Sequence, residues 1–92
     1  MTEKIMTTNG IVMNINTRYT YVIIEPANEY IDDADGFVIT WRNPHCCNGE
    51  WQVDNEVFPP TLGGIMRLTR EARALNSQIK KEVEDNTFTF RK

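Results

Sequence analysis

No stretch of this sequence approaches the roughly 18 consecutive apolar residues that a membrane-spanning helix requires. The first eight residues include Glu3 and Lys4 and lack the apolar core of a secretory signal, so an unprocessed cytoplasmic protein is expected. Cysteine is scarce: Cys46 and Cys47 are the only two, and they are adjacent. A bridge between neighbours is strained and closes no useful loop, which excludes a disulfide framework and suits a reducing compartment. His45 is the single histidine. Zinc takes four N, S or O ligands, commonly from cysteines two to four residues apart. His45-Cys46-Cys47 without a second cluster does not meet that need, so neither a metal nor a cofactor is expected.

Catalytic signatures are missing as well. There is no Walker loop, no G-x-G-x-x-G, no H-E-x-x-H and no G-x-S-x-G. Thiol catalysis at Cys47 needs a base beside it in space, and sequence neighbours such as His45 rarely supply one. Asp33-Ala34-Asp35-Gly36 matches positions three, five and six of a calcium-binding loop, but Ile31 and Arg42 then fall at the first and twelfth positions, where oxygen ligands are required. These absences favour a binding protein over an enzyme.

What is present is an ordinary globular composition: 40% hydrophobic, 25% charged and 10% aromatic. Ninety-two residues make one domain, expected to span 1–92, with a thin stability margin. The net charge of −3 is unevenly spread. Residues 1–60 hold nine acids against Lys4, Arg18 and Arg42, whereas residues 61–92 hold seven bases against four acids. The basic half can dock on the chain's own acidic loops, or the two halves can offer a partner faces of opposite sign.

Residues in the first half alternate as strands do. Ile11, Met13 and Ile15 form one such run and Tyr19, Tyr21 and Ile23 another, with Asn16-Thr17 between them at hairpin distance. Pro26 ends the second run. Ala27 to Gly36 is an acidic loop carrying Glu29, Asp32, Asp33 and Asp35, a candidate partner-facing surface. A third strand follows from Phe37 to Arg42, with Phe37, Ile39 and Trp41 on one face. Asn48-Gly49 predicts a turn into a fourth strand near Glu50 to Val53, with Trp51 near Trp41 across the sheet. After Pro59-Pro60 the period changes. Leu62, Ile65, Met66, Thr69, Ala72, Leu75, Ile79 and Val83 predict a long helix over 61–85, capped by Thr61 and regular from about Ile65. Residues 87–91 alternate as a fifth strand. The expected fold is α+β: an antiparallel sheet of four to five strands packed against one long C-terminal helix.

Two surfaces of that helix are candidate sites. Gly63 and Gly64 open it, and Arg67, Arg70 and Arg73 follow at one-turn spacing. Backbone N–H groups without a Cβ, a helix dipole and guanidinium groups together suit a phosphate or nucleotide, with Trp41 or Trp51 available for stacking. The plainer reading has the glycines give close packing and Arg67 pair with Glu71. Leu68, Ala72, Leu75 and Ile79 follow heptad spacing and nominate a homodimer seam, the plainer reading being a wide buried stripe. The primary expectation is a small non-enzymatic protein that inhibits or regulates a larger protein partner, as accessory proteins of phages and mobile elements do. Sequestration of a nucleotide-like anion and a local nucleic-acid contact through the helix arginines are the alternatives, although a net acidic chain disfavours broad nucleic-acid binding.

Overall fold

The computed structural model describes residues 2–43 and 49–86. Its elements are β1 (Thr2–Met6), β2 (Val12–Asn16), β3 (Val22–Pro26), β4 (Phe37–Trp41), β5 (Gln52–Val53) and α1 (Leu62–Glu84), with a 3-10 turn at Ala27–Glu29. The architecture is α+β, and every strand pair is antiparallel. The strands do not make the one sheet of four to five that alternation predicts. They form a two-stranded sheet, β1-β2, and a three-stranded sheet, β3-β4-β5.

The difference begins at a strand that residue patterning does not reveal. Thr2–Met6 carries few apolar side chains, yet it pairs with β2 in register, Met6 opposite Val12 and Thr2 opposite Asn16. The reversal lies at Thr8-Asn9-Gly10. Gly10 adopts φ 82°, a conformation that a side chain would strain. Thr7 N donates to Ile11 O at 2.8 Å, Gly10 N donates to Thr7 O at 2.9 Å, and Ile11 N donates to Thr7 Oγ1 at 3.0 Å.

The expected turn at Asn16-Thr17 is displaced. Thr17 is buried and its carbonyl accepts from Ile24 N at 2.8 Å, so the chain stays extended there. Arg18 bridges Ile23, and the reversal closes where Tyr19 N donates to Val22 O at 2.8 Å. The continuation of β2 thereby joins the two sheets.

β4 is the centre of the larger sheet. Val38, Ile39, Thr40 and Trp41 are all buried, so both of its faces are covered. The Thr40 hydroxyl donates to Ile23 O at 3.3 Å, which satisfies the one polar side chain in that run. Trp41 faces Gln52 in the β4–β5 register. Side chains directly opposite share a face, so Trp51 turns to the other side. Trp41 is in the core, while Trp51 is exposed with the Arg42 guanidinium 4.6 Å from its ring centroid. Trp41 and Trp51 are thus one residue out of phase across the β4–β5 register.

α1 starts at Leu62, earlier than the regular start predicted at Ile65. Thr61 is the N-cap, with φ −107° and ψ 163°, and its Oγ1 accepts from Gly64 N at 3.1 Å. Ile65, Leu68, Ala72 and Ile79 are fully buried in one cluster with Ile24, Ile39, Trp41 and Phe58. Burial of each large aliphatic side chain contributes about 1.5–3 kcal/mol. Asn76 Oδ1 accepts from Tyr21 N at 2.9 Å and ties the middle of the helix to the turn before β3. The proposed fifth strand at 87–91 lies outside the described residues.

Candidate functional site

The helix start does not gather the predicted anion site. Gly64 is there for packing: a Cβ on it would stand 2.2 Å from the Pro59 carbonyl oxygen. Gly63 has open space around it, but the Gly64 N–H is already taken by Thr61. Arg67 is held by the chain's own acids. Its Nη2 donates to Glu56 Oε2, and its Nε lies 2.8 Å from Glu71 Oε2, close enough for an ion pair though not aligned as a hydrogen bond. Its guanidinium also stacks 4.8 Å from the centroid of the Phe58 ring. Two carboxylates leave Arg67 little charge to offer a ligand. Trp41 is buried, and Trp51 is engaged with Arg42.

Arg70 and Arg73 have a different setting. Both line a groove of about 490 Å³ between β2 and α1. Met13, Asn14 and Ile15 form the strand wall, and Met66 and Ser77 lie on the helix wall with the two arginines. Among the described residues, no acidic one lines the groove, and neither arginine makes an ion pair. The charge of Arg73 is felt at Tyr19, whose hydroxyl is pushed above its usual 10.0 by burial and drawn partly back by Arg73. Thr69 also borders the groove, but its hydroxyl is turned back on its own helix, donating to Ile65 O at 3.1 Å.

The groove's strand wall is an edge. Alternation puts the Asn14 side chain on the face opposite Met13 and Ile15. All three border one groove because the β2 backbone faces it edge-on. Residue patterning misses this feature because it does not reveal β1. The Asn9-Gly10 dipeptide is the available signal: it is a strong hairpin turn, and it makes β2 the second strand of an N-terminal hairpin.

The tip of this hairpin rests on the helix start. Thr8 N and Thr8 Oγ1 both donate to Pro60 O, at 2.9 and 3.1 Å. Both elements that meet at this junction carry exposed apolar side chains. Met6 is 66% exposed, Val12 56% and Met66 58%, with Ile11 and Leu62 also exposed.

The other sequence candidates are more dispersed. Leu68, Ala72 and Ile79 are fully buried beneath the chain's own sheets and Leu75 is half-buried. The heptad seam is therefore consumed by the core and is not a dimer surface, a correction that follows from where the sheet covers the helix. Glu29, Asp32, Asp33 and Asp35 lie on a loop that closes when Ala27 N donates to Gly36 O at 3.0 Å. Beside it, the Tyr30 hydroxyl donates to Glu25 Oε2, which pushes the phenol up to about 12, helped by partial burial and by the charges of Glu25 and Glu29. His45, Cys46 and Cys47 lie outside the described residues. Among the described residues, no group of three or more His, Cys, Asp or Glu is placed to hold a metal, and no helix is long and apolar enough to cross a membrane.

No protein-family model, curated protein or solved structure matches the chain. Function must therefore be argued from these residues alone.

Proposed function

We propose that this chain is a small non-catalytic binding protein that regulates or inhibits a larger protein by occupying its surface, using the face where the β1–β2 hairpin meets the start of α1. The observation that carries this reading is that the hairpin and the helix start, which touch through Thr8 and Pro60, both expose apolar side chains. Met6, Ile11, Val12, Leu62 and Met66 account for five of the eight large hydrophobics exposed among the described residues. Scattered exposed hydrophobics need no explanation, but several on two touching elements, with Met66 also lining a groove, suit a recognition surface. A protein partner fits such a face better than a small anion does. The anion reading needs the helix start, where Thr61 and the two glutamates have already taken the groups it would use. Arg70 and Arg73 alone do not make the broad basic surface of a general nucleic-acid binder.

Affinity capture from a nuclease-treated lysate of the source cells tests this reading. Wild-type protein, a Met66→Asp variant and a Tyr30→Ser variant are compared side by side. Met66 and Tyr30 are both exposed, so both variants keep the fold. The expected result is one captured protein that is lost with Met66→Asp and retained with Tyr30→Ser. A captured protein indifferent to Met66→Asp, or no captured protein, overturns it.

A further inference from the structure

Resting on that reading, we infer that the groove between β2 and α1 takes an extended acidic segment of the partner, which adds as a strand to the edge of β2 that no described strand pairs, while its carboxylates pair with Arg70 and Arg73.

The edge is defined by the hydrogen-bond phase of the hairpin. Thr7 and Ile11 are a hydrogen-bonded pair, through Thr7 N to Ile11 O. Such pairs alternate along an antiparallel ladder. Ile5 with Met13 and Glu3 with Ile15 are then bonded pairs, given the register. Val12 and Asn14 fall between them, so their N–H and C=O groups point away from β1, and Asn14 lines the groove. Neither residue makes a backbone bond to any described residue outside the hairpin. An unpaired strand edge is a template for another strand.

Groove chemistry selects the occupant. A strand laid beside β2 would run between that edge and the helix face that carries Arg70 and Arg73, which lie about 4.5 Å apart along the helix axis. Same-face side chains of a strand repeat every two residues, about 6.6–6.8 Å, within reach of two flexible arginines. With two uncommitted guanidinium groups, no acid in the lining, and Met13, Ile15 and Met66 as its apolar part, the groove favours carboxylates alternating with apolar side chains. The partner's main chain supplies the affinity common to any sequence, and the arginines supply the preference for acid.

The test uses the full-length chain and a capped peptide of alternating valine and glutamate, with a lysine-for-glutamate peptide and a thymidine oligonucleotide as rivals. Amide hydrogen exchange is followed residue by residue. In the free protein, the amides of Met13 and Ile15 are slow and those of Val12 and Asn14 are fast. The glutamate peptide should slow Val12 and Asn14, and the lysine peptide should not. Arg70→Glu with Arg73→Glu should weaken binding about tenfold or more. Asn14→Pro removes an N–H that β1 does not use, so the hairpin persists while peptide binding falls by a similar factor; Asn14→Ala should bind as wild type does. Binding that leaves Val12 and Asn14 unprotected overturns the strand-addition inference. Oligonucleotide that displaces the peptide, or binds where the peptide does not, also overturns it. If the cellular partner depends on Met66 but the peptide protects nothing, the binding-protein reading stands and this inference fails.

Discussion

The backbone of Gly36 lies flush against that of Phe58: a Cβ added at Gly36 would stand 2.1 Å from the Phe58 carbonyl oxygen. Phe37 N donates to that oxygen at 2.9 Å, and Phe58 N donates to Phe37 O at 2.8 Å. The contact locks the end of the acidic loop and the fully buried Phe58 onto the start of β4. Gly36 also adopts φ 111°, so a side chain there is penalised twice. Gly36→Ala is expected to cost about 3 kcal/mol or more, through strain and displacement of Phe58. Urea denaturation measures it; a loss below about 1 kcal/mol would mean the contact relaxes easily.

The neighbouring glycines of the helix should behave in opposite ways. A Cβ at Gly63 would meet nothing within 4 Å, whereas one at Gly64 would be driven into the Pro59 carbonyl. Gly63→Ala should therefore stabilise the chain by up to about 0.5 kcal/mol, less than the helix-interior difference because Gly63 lies in the first turn. Gly64→Ala should destabilise it. Thermal unfolding of the two variants gives shifts of opposite sign; shifts of the same sign would contradict this packing at the helix start.

Arg67 and Arg70 should separate by role. Arg67 stacks on Phe58 and faces Glu56 and Glu71, yet its side chain is 45% exposed, so solvent screens the pairs. Arg67→Ala is expected to cost about 1 kcal/mol, less in high salt. Arg70→Ala should leave stability unchanged within about 0.5 kcal/mol. Equal losses at the two positions in calorimetry would assign Arg70 a structural partner.

Tyr30 should ionise late. Its hydrogen bond to Glu25, then partial burial, then the charges of Glu25 and Glu29 push it up to about 12, against 10.0 for a free tyrosine. A folded-state pKa above the unfolded one favours the folded state while the phenol is protonated. That contribution is complete below about pH 10 and is lost as the pH rises toward about 12. Ultraviolet titration of wild type should show a phenol titrating near 12 that disappears in Tyr30→Phe, while Glu25→Gln should bring it back toward 10.0. A titration unchanged by Glu25→Gln would exclude the carboxylate as the cause.

The parts that sequence patterning locates correctly share a local cause. The helix is visible because Ile65, Leu68, Ala72 and Ile79 repeat at its own period, and Thr61 marks its cap. β4 is visible because Phe37 to Trp41 is β-branched and aromatic without interruption. β1 is not visible, because Thr2–Met6 is mostly exposed and its pairing is secured by main-chain bonds that any side chains can make. The candidate site is half visible. Arginine spacing singles out Arg67, Arg70 and Arg73 together, but spacing along a helix does not say which carboxylates the rest of the fold delivers. Glu56, from the segment before the helix, reaches Arg67, and no described acid lines the groove beside Arg70 and Arg73.

From its sequence alone this protein is a chain that forms strands in its first half and one long amphipathic helix after Pro60, because helix period, capping and turn chemistry act among near neighbours. Tertiary structure decided that the strands divide into two sheets, that the heptad seam is buried, and that, among the described residues, nothing pairs the outer edge of β2 or the arginines Arg70 and Arg73. Those outcomes depend on which distant backbone and charged groups meet, and strand register and long-range contact are set only when the whole chain closes on its core.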